Sequence, residues 1–157
     1  MRFLFLLLLA MATTTSSQSA RAEPAATDHP EARPFEESDD ATAQVDAALA
    51  RAQLNEKRVI LVMGANWCHD SRGLAGWFAQ PRFAAMLEAK YELVYVDVGH
   101  KDRNIDIARR FGLKAIKGTP TVLVLSAQGA LLNRKSAPQW REPRGRRYFC
   151  LFRPICR

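Results

Sequence analysis

The sequence predicts an α/β domain whose central sheet is covered by helices on both faces. Residues 58–65 (RVILVMGA) form a continuous apolar run with β-branched residues, which is typical of a strand buried on both sides. A second run rich in β-branched residues, at 92–98, follows two helical segments. In a strand–helix–strand unit the connection is right-handed and the two strands are parallel, so we expect a parallel pair here. The chain of 157 residues, 48% hydrophobic and 25% charged, has the size and composition of one globular domain.

The remaining elements follow from apolar spacing and from residues that break regular structure. Helices are expected at 42–54, 68–78, 83–90 and 105–111, and strands at 58–65, 92–98, 121–125 and 130–132. Pro81 separates the second helix from the third, and Gly112 ends the fourth. The helix–strand order again favours an α/β fold.

Residues 1–22 are predicted to be a signal peptide. Arg2 is followed by an apolar run of ten residues and then by Ala20-Arg21-Ala22, a sequence typical of a signal-peptidase site. The run is shorter than the roughly 20 residues that cross a bilayer, so no stable membrane anchor is expected after cleavage. We therefore expect export, most simply to a bacterial periplasm, where cysteines meet oxidising conditions.

The mature chain divides by composition into three parts. Residues 23–41 are expected to be a flexible acidic linker without chemistry, residues 42–132 the folded domain, and residues 133–157 a basic, Pro- and Arg-rich tail atypical of a closing helix. The net charge of +7 comes from the ends, because residues 23–132 hold 13 Lys and Arg against 15 Asp and Glu. A nucleic-acid partner is therefore not expected.

A candidate reactive cysteine lies between the first strand and the second helix, in Trp67-Cys68-His69-Asp70-Ser71. At the first turn of a helix, unpaired backbone N–H groups and the helix dipole favour a thiolate at Cys68, and a protonated His69 acts in the same direction. Asp70 either bonds to His69 or, as we favour, caps the helix. The alternative is a buried, inert cysteine. No spacing of His and Cys residues resembles a metal site, so no metal is expected.

A second candidate segment, Gly118-Thr119-Pro120, stands directly before the strand at 121–125. A proline at this position usually ends a loop in trans, but cis costs only about 0.5–1 kcal/mol at an X–Pro bond. A cis bond here would leave the backbone groups of Thr119 available to an extended peptide.

Together these motifs resemble the thioredoxin superfamily. The likeness extends over residues 42–132 and rests on tryptophan–cysteine–x–x at a helix start, on Val96-Asp97-Val98, and on Gly-Thr-Pro before a hairpin. The helix broken at 80–83 is more similar to the periplasmic disulfide-relay and cytochrome-maturation members. The resemblance implies a thioredoxin-like mixed sheet of four or five strands, Cys68 as the attacking thiol, and Trp67, Thr119 and the cis-proline Pro120 as substrate contacts.

Two departures from the family pattern restrict the chemistry. The resolving cysteine is replaced by Ser71, and the buried carboxylate of the preceding strand by Val62. The motif is thus Cys-x-x-Ser, and the lone thiol fits exchange with protein thiols or disulfides, or with a small thiol such as glutathione, without a cofactor. Cys150 and Cys156 are the only other cysteines, and they either resolve the adduct or pair with each other. The alternative function is a catalytically inactive peptide-binding module.

Overall fold

The computed structural model describes residues 30–38 and 40–140, in which helices and strands alternate as predicted. The elements are α1 (Ala41–Leu54), β1 (Arg58–Gly64), α2 (His69–Ala79), α3 (Pro81–Lys90), β2 (Tyr91–Asp97), α4 (Ile105–Arg110), β3 (Thr121–Leu125) and a 3-10 turn (Ala137–Gln139). The predicted α/β class is confirmed. No helix in the described ranges is both long and apolar enough to cross a membrane. The expected signal peptide and two of the three cysteines, Cys150 and Cys156, lie outside the described residues.

The sheet has three strands in the order β2-β1-β3, with β1 parallel to β2 and antiparallel to β3. The resemblance implied four or five strands, and a further one was expected at 130–132. The structure has only the isolated bridge Leu125–Leu131 there. The side chain of Asn133 accepts from the Val124 N–H at 2.8 Å and donates to the Val122 carbonyl at 2.9 Å. The Asn133 side chain, together with the Leu132 N–H that donates to the Val124 carbonyl at 2.8 Å, therefore pairs with this edge in place of a regular neighbouring strand.

The core consists of two apolar clusters, one on each face of the sheet. Val59, Leu61 and Met63 of β1 pack with α1 and α4, whereas Ile60 and Val62 pack with α2 and α3. All five side chains are fully buried. This explains the unbroken apolar run, because successive residues of a strand point to opposite faces and both faces are covered.

The segment 30–38, expected to be part of a flexible linker, lies against the domain. Phe35 is only 3% exposed, belongs to the cluster of α2 and α3, and meets the ring of Tyr95 edge-on at 5.3 Å. Burial raises the pKa of the Tyr95 phenol. The backbone of Pro30 and Glu31 lies so close to Gly76 of α2 that no Cβ fits between them. A single apolar residue in an acidic stretch gives no periodicity, so the sequence pattern did not reveal this packing.

The described part of the expected tail, residues 133–140, also packs on the domain. Ala137 and Trp140 are buried, and the Trp140 ring meets that of Phe78 edge-on at 6.4 Å. The tail was predicted to lie outside the folded domain, so it was not expected to cover the sheet. Trp140, which is 1% exposed, instead joins the apolar cluster on the face of α2 and α3. The folded part of the chain thus continues beyond the predicted boundary at residue 132.

Replacing Trp140 tests whether this packing stabilises the domain. We expect Trp140→Ala to lower the free energy of unfolding by about 3–5 kcal/mol, the usual cost of truncating a buried aromatic side chain. Leu132→Ala is the matched control, since Leu132 is 52% exposed, and it should change stability by less than about 0.5 kcal/mol. Denaturant unfolding measures both. Equal stability of the two variants would contradict a packed C-terminal segment.

A second stability prediction concerns the ion pairs that join α1 to β2. Arg51 Nε lies 2.9 Å and Lys57 Nζ 3.7 Å from the Glu92 carboxylate, and the hydrogen bond from Arg51 is the largest influence that lowers the Glu92 pKa. A lowered pKa stabilises the fold above the ordinary value of 4.5, and the contribution is lost as the pH falls through the folded-state pKa.

We expect Glu92→Gln to cost about 1 kcal/mol at pH 7, at the upper end for a partly exposed pair. The difference from the wild type should shrink progressively below about pH 4.5, where the wild-type carboxyl also becomes neutral. Urea unfolding at a series of pH values measures it. A difference that stays constant down to pH 2.5 would show that the charge of Glu92 has no part in the effect.

Candidate functional site

Cys68 lies at the junction of β1 and α2, where the sequence predicts it. It is the N-cap residue of α2 and is partly exposed. Its N–H donates to the Ala65 carbonyl and its carbonyl accepts from the Arg72 N–H, both at 3.1 Å, so the backbone is fixed on either side of the sulfur. The thiol is free, and its Sγ donates to the Thr119 carbonyl at 3.4 Å. Cys68 is therefore placed at the positive end of a helix and is partly exposed to solvent as a residue.

The segment Gly118-Thr119-Pro120 lies beside this sulfur, although it is 51 residues away in sequence. The Thr119–Pro120 peptide bond is cis. Thr119 is 8% exposed, and the Thr121 hydroxyl donates to the Gly118 carbonyl at 2.7 Å. The sequence suggested that the backbone of Thr119 is left free, but in this state its carbonyl accepts the hydrogen bond from the thiol.

Trp67 is 51% exposed beside Cys68, which is unusual for a large aromatic side chain. Its indole N–H donates to the Gly99 carbonyl at 2.9 Å, and its ring stacks on His100 with centroids 4.8 Å apart and an interplanar angle of 13°. The loop after β2 therefore holds the indole in place. His100 was not singled out in the sequence, because nothing in its local pattern connects it with a residue 33 positions earlier.

His69 and Asp70 lie in the first turn of α2 but differ from expectation. The His69 side chain is 53% exposed, and its Nδ1 is 3.1 Å from a carboxylate oxygen of Glu31. The cap by Asp70 is wrong, because Cys68 itself occupies the N-cap position and Asp70 is two residues further into the helix. An acidic side chain in the first turn still interacts favourably with the helix dipole.

Ser71, at the position of the resolving cysteine, is fully buried. A Cβ added at Gly64 would come within 2.7 Å of both the Ser71 hydroxyl and the Phe35 ring, so these groups lie in one tight cluster. Among the described residues the Ser71 Oγ has no hydrogen-bond partner. The position of the resolving cysteine thus has neither a thiol nor access from solvent.

The segment 30–38 contributes to this site, although no sequence pattern indicated that it would. The Asn66 side chain accepts from the Phe35 N–H at 3.2 Å and donates to the Phe35 carbonyl at 2.7 Å. Arg72 binds the Glu31 carboxylate, with Nε 2.9 Å from Oε2. These partners lie more than 30 residues apart, and no local sequence signal connects them.

The site holds groups for sulfur chemistry rather than for metal binding. Within residues 30–38 and 40–140, no cluster of three or more His, Cys, Asp or Glu residues could hold a metal ion. The Cys68 sulfur donates to the Thr119 carbonyl, and the first turn of α2 begins at the next residue, although the Cys68 side chain makes no capping hydrogen bond to that turn. These can stabilise a thiolate and orient an extended chain against it.

A family model described as thioredoxin-like matches residues 40–127, more than half of the chain. The chain belongs to the thioredoxin-like family. Its structure is similar to that of the disulphide isomerase from Xylella fastidiosa Temecula1, with a TM-score of 0.68 and 29% identity over 80% of this chain and 98% of that one. A thioredoxin from Thermus thermophilus shares the fold, with a TM-score of 0.50 and 22% identity over 71% and 82% of the two chains. No curated protein sequence matches significantly.

Proposed function

We propose that this thioredoxin-like protein carries out thiol–disulfide exchange through one cysteine, Cys68. The observation that carries the proposal is the position of this residue, which is partly exposed at the N-cap of α2 with its sulfur 3.4 Å from the Thr119 carbonyl. The structurally similar Xylella protein is named a disulphide isomerase and is covered over 98% of its length. This likeness supports exchange chemistry as the function.

The exchange proceeds in two steps that balance without an external oxidant. The Cys68 thiolate attacks one sulfur of a substrate disulfide, a new S–S bond forms to Cys68, and the other substrate sulfur leaves as a thiolate. A second thiol, from the substrate or from a small molecule such as glutathione, then attacks the mixed disulfide and releases Cys68. The number of disulfides is unchanged, so the chemistry is isomerisation or shuffling rather than net oxidation.

The residues around the sulfur have distinct proposed roles. The hydrogen bond from the thiol to Thr119 is lost when Cys68 ionises, which makes the carbonyl available to an extended substrate segment. Pro120 and Trp67 are the other proposed substrate contacts: the indole of Trp67 is exposed and offers an apolar surface, whereas Pro120 is buried beside Thr119. His69 is the titratable residue next to Cys68 in sequence, and Ser71 is the buried position that leaves the adduct unresolved.

The proposed substrates are proteins with disulfides or thiols, and the proposed compartment is the bacterial periplasm. Residues 1–22 have the pattern of a cleaved signal peptide, and an oxidising compartment supplies disulfides as substrates. No cofactor is required, because both steps use sulfur groups only. The competing proposal is a peptide-binding module without turnover. It is favoured by the absence of a second cysteine among residues 30–38 and 40–140. The reactivity of Cys68 separates the two proposals.

The reactivity of Cys68 is tested in the mature chain with Cys150→Ser and Cys156→Ser, which leaves Cys68 as the only thiol. We expect this protein to form a mixed disulfide with a scrambled, disulfide-bonded test protein and to release it on addition of reduced glutathione, as followed by non-reducing electrophoresis. Adding Cys68→Ala should abolish the adduct and at least about 90% of the isomerase activity, since the thiolate is the nucleophile. Equal binding of substrate with and without Cys68, and no adduct, would favour the inactive module.

The Cys-x-x-Ser motif predicts a gain of function on restoring the second sulfur. Ser71→Cys should form an intramolecular disulfide with Cys68 and should reduce insulin in the presence of dithiothreitol, whereas the parent should not, because only a dithiol can resolve its own adduct. Ser71→Ala is the control: it removes a buried hydroxyl without a described partner, so it should keep monothiol exchange and should change stability by less than about 1 kcal/mol. If Ser71→Cys forms no disulfide, the two positions do not have the geometry of the family.

A further inference from the structure

Arg72, in the first turns of α2, contacts the backbone immediately before Cys68. Its Nη1 donates to the carbonyls of Asn66 at 3.1 Å and Trp67 at 3.0 Å. The side chain is only 16% exposed. One guanidinium group therefore binds two consecutive carbonyls of the loop that presents the sulfur.

These two contacts fix the orientation of the peptide groups around Cys68. In a planar trans peptide the carbonyl and the next N–H point in opposite directions. Holding the Trp67 carbonyl toward Arg72 therefore directs the Cys68 N–H away from it, and that N–H donates to the Ala65 carbonyl at 3.1 Å. Rotation of this peptide group would turn a carbonyl, with its partial negative charge, toward the sulfur and disfavour a thiolate.

Glu31 in turn holds the guanidinium group in place. Its carboxylate accepts from Arg72 Nε at 2.9 Å and from Nη2 at 3.4 Å, a two-point contact typical of arginine and carboxylate. The segment that carries Glu31 is attached independently, because the Ala32 N–H donates to the Arg72 carbonyl at 3.1 Å and Phe35 pairs with Asn66. The backbone on either side of the Glu31 carboxylate is thus held by contacts other than those with the Arg72 side chain.

We propose that Arg72 is a positioning residue for Cys68, held by Glu31, and that this pair sets the rate at which the thiol reacts. The inference rests on the proposed exchange function and adds to it a residue outside the Cys-x-x-Ser motif. Lysine cannot replace arginine here, because an ammonium group is a point charge, whereas the planar guanidinium serves two carbonyls and two carboxylate oxygens at once.

The test uses the mature chain with Cys150→Ser and Cys156→Ser as the parent, and compares Arg72→Lys, Arg72→Ala and Glu31→Gln. Two rates are measured at pH 7: alkylation of Cys68 by iodoacetamide, and formation of a mixed disulfide with oxidised glutathione. We expect Arg72→Lys to slow both by about tenfold, within the roughly hundredfold that a displacement of about 1 Å can cost a reacting group. Glu31→Gln should have a smaller effect, and little effect when combined with Arg72→Lys, because both act through one contact.

The matched control is the remote pair of Arg51 and Glu92, altered as Arg51→Lys and Glu92→Gln. These variants also lose an arginine–carboxylate contact and should leave both rates unchanged.

The pH dependence of the alkylation rate provides a second readout, which a change in stability alone does not shift. The rise of the alkylation rate with pH should occur at higher pH in Arg72→Lys than in the parent. Above about pH 9.5, where free thiols are ionised, the two rates should approach each other. The titratable side chains at the start of α2, His69, Asp70 and Glu31, are not altered in this variant, so a shift reports the orientation of the loop.

The outcomes separate the two proposals. If Arg72→Lys reacts at the parental rate and Arg72→Ala is slow, Arg72 acts through its charge alone. If both variants react at the parental rate, Arg72 has no effect on the thiol. Either result overturns the positioning role. If slowing is matched by the control pair, the effect is one of general stability, and the inference also fails. If the parent forms no mixed disulfide but Arg72→Lys still slows alkylation, the exchange function fails and the positioning role stands.

Discussion

The place of the Cys68 sulfur depends on the pairing of Asn66 with the backbone of Phe35. The Asn66 amide donates to and accepts from one residue of the segment 30–38, as a neighbouring strand would. These bonds connect the loop before Cys68 to a segment that is also held against Gly76 of α2. The loop is therefore supported from outside the sheet as well as by β1. On its other side the same loop is held by the contacts of Trp67 with Gly99 and His100.

The same principle applies at the other end of the described chain. Asn133 satisfies the edge of β3 with its side chain, and Trp140 fills the apolar layer between the sheet and α2. The side chains of Asn66 and Asn133 thus make hydrogen bonds of the kind that additional strands make in larger sheets. Phe35 and Trp140 supply apolar area that a closing helix would otherwise supply. A three-stranded sheet with few residues can in this way bury both of its faces.

The elements with strong periodicity or long apolar runs were predictable, and the packing of isolated residues was not. The run at 58–65 identifies β1 because burial on both faces requires apolar residues in succession, and Pro81 marks the break between α2 and α3. The strand–helix order likewise predicted where Cys68 lies, at the junction of β1 and α2. Phe35 and Trp140 lie in polar or basic stretches, where one apolar residue carries no period. The partners of Asn66 and Arg72 depend on tertiary contacts between distant segments, which local patterns do not encode.

The interior beneath the Cys-x-x-Ser motif is largely apolar. Ser71 is enclosed with Phe35 and Gly64, and Val62 stands where the family pattern has a buried carboxylate. Among the described residues, the apolar cluster on this side therefore contains neither a carboxylate nor a second thiol. The polar side chains of Glu31, His69 and Arg72 instead meet at the start of α2, where both residues that pair with Glu31 belong to the first turns of the helix. The arrangement of these groups beside Cys68 is thus tied to the surface segment 30–38, because it depends on how that segment docks.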